Sequence, residues 1–158
     1  MHLIHEGFYV TLPSNLTYGG RWVANQNISS YRTLLHTSRF LDPKMRWSVA
    51  LQSIAYPDAY TTPLDFDGCF IVSCDLTEEI YYGGQKDRVL CTFPPMAPNK
   101  SLPTRLQYET PINPVYIPIS KGTFEIREIY ISILYDCNMS PVDFLGGKVI
   151  VRLHFKPL

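Results

Sequence analysis

The sequence predicts an all-β domain, a sandwich of antiparallel strands. Three observations carry this. Apolar residues recur at every second position in short runs. Aromatic and β-branched residues are abundant, with 11 Tyr and 8 Phe among 158 residues. The 13 prolines punctuate the runs, and no window longer than about 12 residues shows a helical period.

The first run is Gly7 to Leu12. Phe8, Val10 and Leu12 alternate with Tyr9 and Thr11, and Pro13-Ser14-Asn15 ends it. Successive side chains of a strand point to opposite faces, so this spacing predicts one buried face. The polar stretch Thr17 to Ser30, with Gly19-Gly20, reads as a loop anchored by Trp22-Val23. A weaker strand is expected over Tyr31 to Thr37 and a stronger one over Met45 to Ala55, closed by Pro57. In the latter Trp47, Val49 and Leu51 share one face, and Arg46, Ser48, Ala50 and Gln52 the other. Gly68 to Leu76 sets Phe70, Val72 and Cys74 against Cys69, Ile71 and Ser73. With two fairly apolar faces it fits the middle of a sheet. Asp75 to Glu79 is expected to form a helical turn at most. Arg88 to Phe93 follows Gly83-Gly84, and the proline-rich Pro94 to Pro114 reads as a long loop holding one short strand, Arg105 to Glu109.

Thr123 to Tyr135 is the longest run. Phe124 and Ile126 are apolar at even positions, and Ile129, Ile131 and Ile133 at odd ones. The parity switches across Arg127-Glu128, which predicts a β-bulge that returns both sets to the core. In Lys148 to Lys156, Val149, Val151, Leu153 and Phe155 face in, and Ile150, Arg152 and His154 face out. Gly146-Gly147 sets the turn before it, where glycine supplies positive φ. These runs make about eight strands, which fit a single jelly roll spanning residues 1–158, with 1–6 as an N-terminal arm. An immunoglobulin-like sandwich is the structural competitor, but nothing here matches its Cys…Trp…Cys arrangement.

Lys plus Arg balance Asp plus Glu at 14 each, so the chain has no long-range pull on nucleic acid or an anionic membrane. No stretch approaches the ~20 apolar residues of a membrane span. The start, Met1 to Glu6, lacks the basic and apolar regions of a secretory signal. Cys69, Cys74, Cys91 and Cys137 form no C-x-x-C pair, and His2, His5, His36 and His154 do not cluster with them, so free thiols are expected and no metal or cofactor. The sequons at Asn15, Asn27, Asn99 and Asn138 read as chance matches in polar loops. Acid–base chemistry needs two titratable groups held close with divergent environments. Asp65 and Asp67 flank Phe66 in a Pro/Gly-bounded loop and read as a solvated turn, as do Glu78-Glu79. No G-x-S-x-G is present; Cys91 reads as packing and His154, beside Arg152, as a surface or interface histidine. The sequence therefore predicts no enzyme.

Aromatics in loops are the remaining signal. Tyr56, Tyr60 and Phe66 lie in an Asp/Pro/Tyr loop, and two readings stand: contact with a partner, or folding back to cap the end of the sandwich. Tyr81-Tyr82 and the segment from Phe93 to Pro98 are further candidates for reaching a neighbouring subunit. Tyr56-Pro57-Asp58 with Tyr60 also suits the aromatic platform of a lectin-like or receptor-binding sandwich, the alternative function.

Several motifs occur in a telling order: Phe8-Tyr9-Val10-Thr11-Leu12-Pro13-Ser14-Asn15, Trp47-Ser48-Val49-Ala50-Leu51 running into Ile54-Ala55-Tyr56-Pro57, Cys74-Asp75-Leu76, Tyr116-Ile117-Pro118-Ile119-Ser120, Phe124-Glu125-Ile126, and Pro141 through Phe155. The set covers most of the chain and resembles the penton-like minor capsid proteins of Polinton (Maverick) elements and adintoviruses. One departure is a segment between the Tyr-Pro and Cys-Asp-Leu motifs shorter than in the family, here only Asp58 to Ser73. The resemblance implies a virion protein, a single jelly roll forming homopentamers at capsid vertices beside a double-jelly-roll major capsid protein.

Overall fold

The computed structural model describes residues 3–14, 17–18, 21–22, 28–66, 68–82, 85–99 and 103–158. The expectations placed on Met1, His2, Asn15, Gly19-Gly20, Val23, Asn27, Asp67 and Gly83-Gly84 lie outside these residues. The strands in chain order are β1 (Leu3–Ile4), β2 (Phe8–Pro13), β3 (Thr17–Tyr18), β4 (Arg21–Trp22), β5 (Ser30–Leu41), β6 (Trp47–Pro57), β7 (Phe70–Cys74), β8 (Ile80–Tyr82), β9 (Gln85–Asp87), β10 (Val89–Phe93), β11 (Leu106–Glu109), β12 (Ile117–Pro118), β13 (Glu125–Tyr135) and β14 (Ile150–Pro157). The predicted runs correspond to β2, β5, β6, β7, β10, β11, β13 and β14. The expected loop from Thr17 instead contains the small hairpin β3–β4. Asp75 to Glu79 forms a tight turn and a bridge from Thr77 to Ile119, with no helical turn.

One sheet has the order β1-β5-β13-β7-β10, and the other β11-β6-β14-β2, with β12 also on β6. The pairings nest: β2 with β14, β5 with β13, β6 with β11, and β7 with β10, all antiparallel. Two further antiparallel pairings, β6 with β14 and β7 with β13, join these hairpin-like pairs within each sheet. β1 adds in parallel to the edge of β5, with Leu3 opposite Phe40 and Ile4 opposite Leu41. The described part of the predicted N-terminal arm thus docks on its own sheet.

The inward positions meet between the sheets. Leu12, Val151, Leu153 and Phe155 from one side pack with Ile129, Ile131, Ile133 and Phe70 from the other, all without solvent exposure. Both predicted sets on β13 contribute: Ile126 and Ile129 are core residues, and the register shifts between Ile126 and Glu128, so two outward residues in succession restore the inward parity. Phe124 is the exception. It precedes the strand and its side chain is 58% exposed, while its carbonyl accepts from Leu41 N at 2.8 Å. A second bulge lies on β6, where Leu153 faces Leu51 but Arg152 faces Ser53, leaving Gln52 as the extra residue. It lets Trp47, Val49 and Leu51 share the core with Ile54 and Tyr56. Gly146 and Gly147 have φ of 139° and 84°, and a Cβ on Gly147 would lie 3.0 Å from Pro57 Cγ, so this turn needs glycine.

Candidate interaction surfaces

Most of the loop aromatics singled out in the sequence are not surface residues. Tyr56, Tyr60 and Phe93 are buried, and Phe66 is half-buried. They gather around Phe70 at one end of the sandwich: its ring lies 5.0 Å from Tyr60, 5.8 Å from Phe93, and 5.9 Å from both Tyr56 and Phe66. Phe144, at 6.0 Å, and Tyr135, at 6.1 Å, complete the cluster. As inter-subunit contacts Tyr56, Tyr60 and Phe93 are therefore corrected. Edge-on ring packing and burial of large apolar area hold them inside their own chain. Tyr81, on the β8–β9 hairpin, remains available at 76% exposure. Tyr82 pairs with Gln85 in the same hairpin, and its side chain lies outside what is described.

The hydroxyls of the capping tyrosines tie down a neighbouring segment. Tyr60 Oη donates to the Met96 carbonyl at 2.6 Å, and Tyr56 Oη accepts from Met96 N at 2.9 Å. The Asp58 carboxylate accepts from Arg105 N (2.8 Å), Thr104 Oγ1 (3.1 Å) and Asn99 Nδ2 (3.3 Å). Hydrogen bonding, led by the Arg105 amide, holds this carboxyl below its ordinary value. Burial pushes the Tyr60 hydroxyl up to about 12, so it stays a donor. The Tyr-Pro-Asp-x-Tyr stretch thus fastens the proline-rich segments 94–99 and 103–105 at the end of the sandwich.

An open apolar groove of about 450 Å³ runs along the β10/β11 side, where Leu51, Ile80, Leu90, Cys91, Val115 and Ile117 line it. At the end of the sandwich near the β5–β6 turn, a second pocket of about 300 Å³ is lined by Trp47, whose buried indole N–H has no acceptor among the described residues, with Arg46, Lys121 and Phe124 around it. No group of three or more His, Cys, Asp or Glu close enough to hold a metal ion occurs among the described residues. Cys74 is buried, and its thiol is pushed up to about 12.

The most ordered polar array lies on the outer face of the β11-β6-β14-β2 sheet. Pairing of β2 with β14 sets Tyr9 opposite His154 and Thr11 opposite Arg152. Tyr9 stacks on His154 with centroids 4.3 Å apart, and the Arg152 guanidinium lies 4.6 Å from the Tyr9 ring centroid. Tyr116 Oη and His154 Nδ1 are 2.6 Å apart, and Lys156 Nζ lies 3.8 Å from the centre of the Tyr116 ring. Burial first, and the Lys156 charge second, hold the imidazole below the usual histidine value. This favours the neutral ring, which shares a hydrogen bond with Tyr116 Oη through Nδ1. The result is a line of three rings with a cation at each end: Arg152, Tyr9, His154, Tyr116, Lys156. Strand parity in the sequence already turns His154 and Arg152 outward. It does not join Tyr9, Tyr116 and Lys156 to them, because only the strand register brings these side chains together.

No protein-family model, curated protein or solved structure matches the chain.

Proposed function

We propose that this chain is a structural virion protein, a single jelly roll of the penton type that assembles with copies of itself beside a double-jelly-roll major capsid protein. The observation that carries this reading is the nested pairing: first strand with last, second with seventh, third with sixth and fourth with fifth among the eight long strands. That order is what a jelly roll makes when a long antiparallel hairpin rolls into two sheets. The motif series from Phe8 to Phe155 supports the capsid assignment. A structural role also agrees with where the hydroxyls and the best-anchored carboxylate go: Tyr56, Asp58 and Tyr60 fasten the chain to itself. The glycan-binding alternative loses its platform, because the rings of Tyr56 and Tyr60 are buried against Phe70 and Phe93.

Native mass spectrometry of the purified chain tests this. A species of five chain masses is expected. A protein that stays monomeric at every concentration, and that is absent from particles formed with the major capsid protein, overturns the reading.

A further inference from the structure

Two tight turns flank the pocket at Trp47. The first joins β5 to β6, where Met45 N donates to the Asp42 carbonyl at 3.1 Å, and the second precedes β13, where Thr123 N donates to the Ser120 carbonyl at 3.2 Å. Gly122, at φ 85°, supplies the left-handed position of the second turn. Backbone bonds brace both turns at their bases. Ile119 N donates to the Trp47 carbonyl at 2.9 Å, and Leu41 N to the Phe124 carbonyl at 2.8 Å. The walls of this space, about 300 Å³ in volume, are thus formed before any ligand arrives.

Trp47 lines the pocket and is 5% exposed, and its indole Nε1–H has no acceptor among the described residues. An indole can only donate, and a buried donor left unpaired costs free energy. The pocket's own acceptors are committed elsewhere. The Asp42 carboxylate accepts from Lys44 N at 3.0 Å and lies 3.2 Å from His5 Nδ1. Ser120 Oγ accepts from Arg88 Nη1 at 2.8 Å and donates to the Thr77 carbonyl at 3.1 Å. Two cations line the same space. Arg46 reaches Glu78 only at 4.0 Å, and Lys121, exposed on the second turn, forms no ion pair among the described residues. Two cations against the one carboxylate of Asp42 leave the lining net positive. Half-buried Met45, buried Ile119 and the exposed ring of Phe124 add apolar wall.

We propose that this pocket binds a peptide carboxylate of a partner protein, either a chain end or an acidic side chain, with an apolar residue beside it. The carboxylate accepts from Trp47 Nε1–H and is neutralised by Lys121 and Arg46, while the adjoining apolar side chain packs on Met45 and Phe124. Hydrogen bonds to an ionised acceptor are roughly twice as strong as neutral ones, which favours a carboxylate over a plain carbonyl. The apolar walls favour an organic acid over inorganic phosphate, which has no apolar surface to bury. The site stands whether or not the chain assembles with copies of itself.

The test reads the indole itself. The chain has two tryptophans, so a ¹H–¹⁵N spectrum of the labelled full chain shows two indole signals, and Trp22→Phe assigns that of Trp47. The probes are acetyl-Leu-Phe with a free carboxyl end, acetyl-Leu-Glu-Leu-amide, and the same two peptides with that carboxyl replaced by a carboxamide. At least one acid should shift the Trp47 indole proton downfield and saturate, and its carboxamide should bind about tenfold or more weakly. Which acid binds tells a chain end from a side chain. Lys121→Gln, at an exposed position that leaves the fold intact, should weaken the acid severalfold and leave the carboxamide unchanged. A Trp47 signal that stays fixed with both acids, carboxamides that shift it equally, or an equal shift with inorganic phosphate overturns the proposal.

Discussion

At the carboxylate of Asp58 three donors converge from a segment more than forty residues away in sequence. The folded state holds this carboxyl below its ordinary value. Its stabilisation is therefore complete above that value and fades as the pH falls through the folded-state value. Asp58→Asn should lower the urea midpoint at pH 7, and the gap to wild type should narrow as the pH drops below about 4. Matched urea titrations at the two pH values measure this. Phe70 plays the corresponding part among the apolar residues, since six rings meet it and none of its surface is exposed. Phe70→Ala should cost about 3–5 kcal/mol in chemical denaturation. Cys74 should resist a thiol reagent at pH 8 in the folded protein and react once it is unfolded, because burial lifts its thiol to about 12.

At the scale of the strand, two bulges set which side chains enter the core. The extra residue on β6 is Gln52, and without it Ile54 and Tyr56 would turn outward while Trp47 to Leu51 kept their side. Deleting Gln52 should cost about 3–6 kcal/mol, from the lost burial of those two residues. Gln52→Ala should change stability by less than about 0.5 kcal/mol, since the backbone count is kept. Equilibrium unfolding of the two variants separates the role of the backbone from that of the side chain. The bulge on β13 was legible in the sequence because Ile126 and Ile129 break a run of alternating isoleucines. The one on β6 left a fainter trace. Ala50 and Ala55 suit either face, so the switch from Leu51 to Ile54 does not stand out. For the same reason the loop aromatics misled. Tyr56, Tyr60 and Phe93 look exposed in a proline-rich stretch, yet the segments that bury them are held by hydrogen bonds to Met96 and to Asp58, which no local pattern announces. The cation–ring line on the outer sheet was half visible, as the outward parity of Arg152 and His154. Its completion by Tyr9 and Tyr116 depends on pairing between segments at opposite ends of the chain.

At the scale of the whole molecule, a sandwich that seals one end with its own aromatics has its flanks and outer faces left for contact. Here those surfaces differ from one another: a cationic, tyrosine-bearing face, a face of mixed charge around Tyr130, and an apolar groove at Ile80 on the β10/β11 side. Unlike surfaces on opposite sides of one body suit a closed ring of identical copies better than a two-fold dimer, which must use one patch twice. The balance of 14 basic and 14 acidic residues removes net repulsion between copies. The measurement that bears most directly on the central claim is an image of particles formed by this chain with the major capsid protein, reconstructed at a resolution that separates subunits. The account predicts five copies of the chain around each vertex. Particles whose vertices lack it, in a preparation where the folded chain is present in excess, would contradict the account.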